Sequence, residues 1–270
     1  MRSLWAGVEF VAPCMLALLT QRDARDWEEL AFREPYFRVL TNDHSVDVAG
    51  SASATAAFFE TGETDISMLL EALAALRGRP LRLTRVLDFG CGAGRLTLPL
   101  TRRSGSVVGC DIAPTILEHA RLNALEAGVS NATFLSVAEL GRLSAGEFDF
   151  ICSLLVFRHI TPSLGYDLLR TLTHLLARGG VGAIQVKFRS PVGVLRRRAE
   201  QMRDRSSRVF HARGRATRSL RRLSSLCADD YDERTVREVI EAAGARLVAR
   251  FPTNQSGAGS GAIVIIEKPQ

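Results

Sequence analysis

The hydrophobic pattern of this chain changes period repeatedly from Asp65 onward, from the three-and-four spacing of a helix to short unbroken apolar runs and back. Ile66, Leu69, Leu70, Leu73 and Leu76 fall on one helical face, and Gly78 with Pro80 predicts where that helix ends. Arg85 to Asp88 reads as a short buried strand, followed by a glycine turn and a helix from about Arg95 to Arg103. Val107 to Cys110 is predicted as the second strand. Pro114 suits a first helical residue, with Ile116, Leu117, Ala120 and Ala124 as the buried stripe and Gly128 as the stop. Thr133 to Val137 and Phe148 to Leu154 are the next strands. Leu164, Leu168, Leu169, Leu172, Leu175 and Leu176 then predict an amphipathic helix reaching Gly179-Gly180, before a fifth strand from Val181 to Phe188.

The alternation resumes with a helix carrying Val236, Val239, Ile240 and Ala243, closed by Gly244. Leu247, Ala249 and Phe251 alternate with Arg246, Val248 and Arg250, as in a strand with two different faces. After a glycine- and serine-rich turn over Asn254 to Gly261, Ala262 to Ile266 is a last apolar strand. Strands separated by helices pair in parallel, whereas two strands joined without a helix form an antiparallel hairpin. The expected organisation is an N-terminal helical lid over residues 1–60, an α/β core over 61–189, a basic helical insertion over 190–225, and a helix and hairpin over 226–270 that complete the core.

Composition adds little until it is divided along the chain. The 270 residues are 46% hydrophobic and 24% charged, with a net charge of +6. From Lys187 to Arg222, however, thirteen Lys or Arg face only Glu200 and Asp204, so that stretch is +11 and the remainder −5. Its apolar residues are sparse. A basic helix with a narrow apolar face suits an anionic membrane surface or a lipid-linked acceptor; its arginines equally suit phosphate or carboxylate groups on a substrate, or the segment is a solvated insertion that merely covers the site. The shortage of aromatics for stacking bases disfavours nucleic acid. Five scattered cysteines argue against a disulfide framework, and neither Cys nor His falls at metal-ligand spacing. Val8 to Leu19 is apolar, but Glu9 and Pro13 interrupt it, and roughly 12 residues fall short of the about 20 that span a bilayer. The expected setting is cytoplasmic, with peripheral contact at the inner membrane face.

The chemistry is concentrated in Val86-Leu87-Asp88-Phe89-Gly90-Cys91-Gly92-Ala93-Gly94-Arg95. A strand ends, the backbone turns through three glycines, and a helix begins. Glycine permits positive φ and lets the backbone approach a ligand without an intervening Cβ. The spacing is G-x-G-x-G, not the G-x-G-x-x-G of dinucleotide binders, and an acid precedes it by two residues. Asp88 would repel a pyrophosphate and attract an ammonium group. Asp111 lies 21 residues after Gly90, at the end of the next strand, where a carboxylate can accept from ribose hydroxyls. Taken singly, either aspartate could instead be a helix N-cap.

The strand-turn-helix of residues 85–103, the acid at 111 and the terminal hairpin together resemble class I S-adenosylmethionine-dependent methyltransferases, of the bacterial kind acting on small molecules or glycans. The resemblance implies an α/β fold: a doubly wound, mostly parallel seven-stranded sheet with an antiparallel last strand. It implies S-adenosylmethionine as cofactor, with Gly90, Cys91, Gly92 and Gly94 around its methionine part, Asp111 on the ribose and Ile112 against the adenine. Where the family often carries an acid after the third strand, this sequence has Val137; Glu139 either substitutes or is a loop acid.

Ligands of such sheets sit beyond the carboxyl ends of the strands. The fourth strand delivers Ser153 to His159 to that edge, with Ser153 as a further cofactor residue and His159 as the candidate base for a hydroxyl acceptor. Arg158 is an alternative contact for an anionic acceptor. Cys152-Ser153-Leu154-Leu155 is unlike the loop used for methylating base amines. Trp27, Phe32, Tyr36, Phe37, Phe58 and Phe59 could shield the reacting methyl or simply fasten an N-terminal helix. The expected reaction is methyl transfer to oxygen of a small molecule or sugar. The rival readings are a non-catalytic cofactor-binding partner or sensor protein and a dinucleotide-dependent oxidoreductase.

Overall fold

The computed structural model describes residues 23–33, 36, 52–189, 230–253 and 260–270. The basic insertion, Phe37, the 254–259 turn and the N-terminal apolar run lie outside the described residues. Helices α1 (Asp23–Arg33) and α2 (Ala52–Arg77) precede the sheet. The chain then alternates through β1 (Arg85–Phe89), α3 (Thr97–Thr101), β2 (Ser106–Asp111), α4 (Pro114–Glu126), β3 (Ala132–Ser136) and β4 (Phe148–Ser153). It continues with α5 (Pro162–Leu175), β5 (Leu176–Phe188), α6 (Glu233–Ala242), β6 (Arg246–Thr253) and β7 (Ser260–Glu267).

The seven strands form one sheet in the order β3-β2-β1-β4-β5-β7-β6. β1 to β5 are parallel, and β7 runs antiparallel between β5 and β6. A parallel sheet must be covered on both faces. Leu168, Leu169 and Leu172 of α5 and Val236 and Ile240 of α6 pack with Leu87, Val108 and Ile151 in one apolar cluster. Ile66, Leu69 and Leu73 of α2 pack with Val86, Val107 and Phe150, the neighbouring and oppositely directed strand positions, in another. The order reverses between β1 and β4, which places a crevice at the carboxyl end of β1.

Three elements differ from the pattern-based expectation. Helix α2 begins at Ala52, well before Asp65. Its buried stripe continues backward through Gly62, Phe58 and Ala54, and two of those three are too small to register as hydrophobic signal. Leu76, expected on the buried face, is 44% exposed. Helix α5 stops at Leu175, and Leu176 pairs with Phe148 as the first residue of a long β5. Its burial, not helical phase, explains its leucine. Gly179 at φ 73° and Gly180, whose Cβ would lie 2.8 Å from the Ala177 carbonyl oxygen, bend this strand without ending it. Helix α3 is a single short segment, leaving Arg95 and Arg103 outside it.

Candidate active site

The glycine turn leaves β1 and is stitched to β2 by its own backbone. Gly90 and Cys91 both donate their N–H groups to the carbonyl oxygen of Cys110, at 2.7 and 3.0 Å. Gly90, Gly92 and Gly94 all have positive φ, at 77°, 53° and 92°. Their reasons differ. A Cβ on Gly90 would lie 2.2 Å from a methyl of Val156, so this glycine is required by protein packing. A Cβ on Gly92 would meet no protein atom within 4 Å. Its bare face therefore opens onto space where a ligand can touch backbone.

The two aspartates frame that face. Asp88 is 1% exposed and accepts a 2.6 Å hydrogen bond from the Thr97 hydroxyl. Burial pushes its carboxyl up to about 6, against the lowering effects of the Thr97 hydrogen bond and the nearby Arg95 charge. Asp111 accepts from Gly92 N–H at 2.9 Å through Oδ2, and from Ile112 and Ala113 N–H at 2.7 and 3.2 Å through Oδ1. Burial raises its carboxyl as well, and these three backbone donors work in the opposite direction. A carboxylate has about four acceptor positions, so three backbone donors leave Asp111 roughly one more. Ile112 is half-buried between two of the apolar clusters.

Other expected site residues have structural occupations. Ser153 is fully buried, and its hydroxyl donates to the Phe89 carbonyl at 2.9 Å, tying β4 to the end of β1. Its hydroxyl is engaged by that bond. Glu139 closes a capping box on the 3-10 helix Val137–Arg142, accepting from the Ser136 N–H and hydroxyl at 3.0 Å each. Its other oxygen pairs with Arg142 at 2.6 Å, and the Ser136 hydrogen bonds hold its carboxyl below the ordinary range. Cys91, Cys110 and Cys152 are buried thiols, each pushed up by that burial. They are packing groups.

The neighbouring edge is built from parts distant in sequence. After β4, Leu155 takes a left-handed φ of 67°, an arrangement costing about 1–2 kcal/mol for a non-glycine residue. Its N–H donates to Gln185 Oε1 on β5 at 2.9 Å, and the turn seats Val156 against Gly90. The 3-10 turn Phe157–His159 follows. Phe157 is fully buried, while His159 is half-buried and meets the Trp27 ring of α1 edge-on, with centroids 5.0 Å apart at 79°. Helix α1 is fastened by Glu28, which accepts from the Thr115 N–H and hydroxyl at the start of α4. Tyr36 donates to Asn123 Oδ1 at 3.1 Å and contacts Phe58, Phe59 and His119. Phe32 is 81% exposed and belongs to no such cluster.

Sequence reasoning missed Thr97, Gly62 and Arg95. A Cβ on Gly62 would lie 2.0 Å from the Arg95 carbonyl oxygen, so α2 presses directly on the glycine turn. Arg95 returns the contact by pairing with Asp65 at 2.6 Å. Helical phase could have placed Gly62 four residues before Ile66 on the buried stripe, but nothing local distinguishes Thr97 from any other helix threonine. Among the described residues no group of three or more His, Cys, Asp or Glu could hold a metal ion.

The sheet order, the antiparallel seventh strand and the glycine turn at the switch point define a class I methyltransferase fold. Residues 86–180 match the family described as methyltransferase domain. Among curated proteins it is 42% identical over 82 residues to the ubiquinone biosynthesis O-methyltransferase of Chelativorans sp. (strain BNC1), covering 30% of this chain and 32% of that protein. It is 34% identical over 117 residues to the same-named protein of Ruegeria pomeroyi, covering 42% and 45%. The chain thus spans less than half the length of these relatives. The magnesium protoporphyrin IX methyltransferase of Synechocystis PCC 6803, solved with bound SAH, shares the fold with a TM-score of 0.57 at 17% identity, over 94% of this chain and 98% of that one.

Proposed function

We propose that this protein transfers a methyl group from S-adenosylmethionine to an oxygen of a small-molecule or sugar acceptor, at the carboxyl edge of the sheet. The observation that carries this reading is the open face of Gly92 between a buried aspartate and a ribose-competent one. Gly90, Cys91, Gly92 and Gly94 would line the methionine part of the cofactor, Asp111 would accept from the ribose, and Ile112 would pack on the adenine. Asp88 would add negative charge behind the cofactor's cationic end. Glu139, engaged in its capping box, would stand beside the adenine through the turn it stabilises. When bound, the cofactor supplies a methyl group on a sulfonium sulfur. The protein's part is to orient that group and the acceptor and to exclude water.

His159 is the proposed base for the acceptor hydroxyl, with Trp27 restricting its ring. Oxygen is favoured because the matching stretch of the curated relatives comes from proteins named as O-methyltransferases. No described helix is long and apolar enough to cross a membrane. The +11 segment suits peripheral contact with an anionic membrane surface, which would show as liposome sedimentation that needs anionic lipid and weakens with salt.

Calorimetry with S-adenosylhomocysteine tests the cofactor half of the proposal. Binding is expected, and Asp111→Ala should weaken it by about 1–3 kcal/mol through loss of a ribose hydrogen bond and of the loop's anchor. Comparing methylated metabolites and glycans in cells with and without the chain tests the acceptor half. A protein that binds the cofactor yet changes none of them would be the sensor instead, and preference for a nicotinamide cofactor would make it the oxidoreductase.

A further inference from the structure

Arg158 has no assigned task. It is the middle residue of the Phe157–His159 turn, between a side chain sunk in the core and one set against Trp27. A 3-10 turn has about three residues per turn, so its side chains point in three directions roughly 120° apart. Phe157 and His159 take two of them, and Arg158 holds the third. It is half-buried, yet among the described residues it makes no hydrogen bond or ion pair. The other half-buried arginines do pair: Arg77 with Glu267, Arg85 with Glu147, Arg103 with Glu63 and Arg170 with Asp167, as does the buried Arg95 with Asp65. Taking part of a guanidinium out of water without an acceptor is unfavourable, and its planar fork of donors suits an oxyanion.

A second observation concerns the same edge. The backbone on either side of the basic segment is tied together at the carboxyl end of β5. Phe188 and Tyr231 form a parallel bridge, Tyr231 N–H donates to the Lys187 carbonyl at 2.8 Å, and Arg189 N–H donates to the Tyr231 carbonyl at 2.9 Å. The Tyr231 hydroxyl in turn donates to the Ile160 carbonyl at 3.0 Å, one residue beyond His159. The chain therefore leaves the sheet at Arg189 and returns at Asp230 beside the turn that carries Arg158 and His159. Asp230 pairs with Lys187 at 3.2 Å.

Resting on the methyltransferase reading, we infer that the acceptor carries an oxyanion, a carboxylate or a phosphate, and that Arg158 binds it while His159 faces the hydroxyl to be methylated. Arg158 is then the specificity-determining residue of the acceptor site. A planar fork of donors fixes an anion in orientation as well as position, which would hold the neighbouring hydroxyl in register with the base.

The test is calorimetric titration of the full chain with catechol, 3,4-dihydroxybenzoate and catechol monophosphate, with and without saturating S-adenosylhomocysteine. The expected result is at least tenfold tighter binding of one oxyanion-bearing probe than of catechol. That preference should vanish in Arg158→Gln while S-adenosylhomocysteine affinity and the thermal midpoint stay at wild-type values. Which probe wins separates carboxylate from phosphate. If Arg158→Gln does not fold, Arg158→Lys should keep a reduced preference, because it retains the charge and loses the fork. Equal binding of all three probes, binding of none, or a preference that survives Arg158→Gln overturns the inference. The cofactor titration is read separately, so loss of the methyltransferase reading would show as absent S-adenosylhomocysteine binding whatever the probes do.

Discussion

The proposed cofactor side and the proposed acceptor side of the same crevice are built by different rules. On the cofactor side, the residues from Asp88 to Asp111 come from two adjacent strands and the turn between them, and backbone groups make most of the contacts. On the acceptor side, Trp27, Leu155, His159, Gln185 and Tyr231 converge from separate parts of the chain and meet through side chains. The first is a local geometry that glycine and aspartate can specify within about 25 residues. The second exists only once the sheet has closed. Cofactor recognition should accordingly be sensitive to backbone substitutions, and acceptor chemistry to side-chain truncations.

The strongest way to break this division is at Gly92. A Cβ there meets no protein atom, but it enters the open face and φ of 53° is poorly tolerated by a branched residue. Gly92→Val should abolish S-adenosylhomocysteine binding by calorimetry while leaving a cooperative thermal transition. Binding by the folded variant would remove the open face from the site. Next in size, His159→Ala should lower turnover by roughly 10²–10⁴-fold with cofactor affinity little changed. Wild-type turnover would assign the histidine to its contact with Trp27 alone.

The smallest effect expected concerns Asp88, and it divides stability from binding. Its carboxyl sits near 6 in the fold against an ordinary value of 3.8, so the native state holds this proton more tightly than the unfolded chain. The contribution is fully present below pH 3.8 and is lost as pH rises through about 6. Two units correspond to about 3 kcal/mol. Asp88→Asn should therefore raise the thermal midpoint of the ligand-free protein at pH 8 and have little effect at pH 4. The same change should weaken binding of the cationic cofactor, whose affinity for the wild type should increase between pH 5 and 7. A midpoint that falls at pH 8 would mean that the Thr97 hydrogen bond outweighs the buried charge.

How much of this was legible in the sequence follows the same division. The strand segments, the terminal hairpin and the positions of the glycines and Asp111 could be read because each depends on local spacing. Helix α2 was read too short because Ala54 and Gly62 carry its buried stripe without hydrophobic bulk. Leu176 was read as helical because a leucine buried in a strand and one buried in a helix give the same letter in the same pattern. That the Ser153 hydroxyl ties β4 to the Phe89 carbonyl is not legible in the sequence, because the two residues lie on different strands. Glu139 and Thr97 show the remaining limit. Whether an acid or hydroxyl serves a ligand or a turn depends on which partner the fold brings to it, Ser136 for Glu139 and Asp88 for Thr97, and sequence alone does not rank the two.

The bridge between Phe188 and Tyr231 has a consequence for how such a protein can diversify. Two neighbouring backbone positions close the base of everything between them. Closing a loop costs only about 0.6 kcal/mol more for each doubling of its length. A change in the number of residues between these two positions is therefore expected to cost the closure little. Because the seam lies beside the turn holding Arg158 and His159, such a change would fall next to the proposed acceptor site.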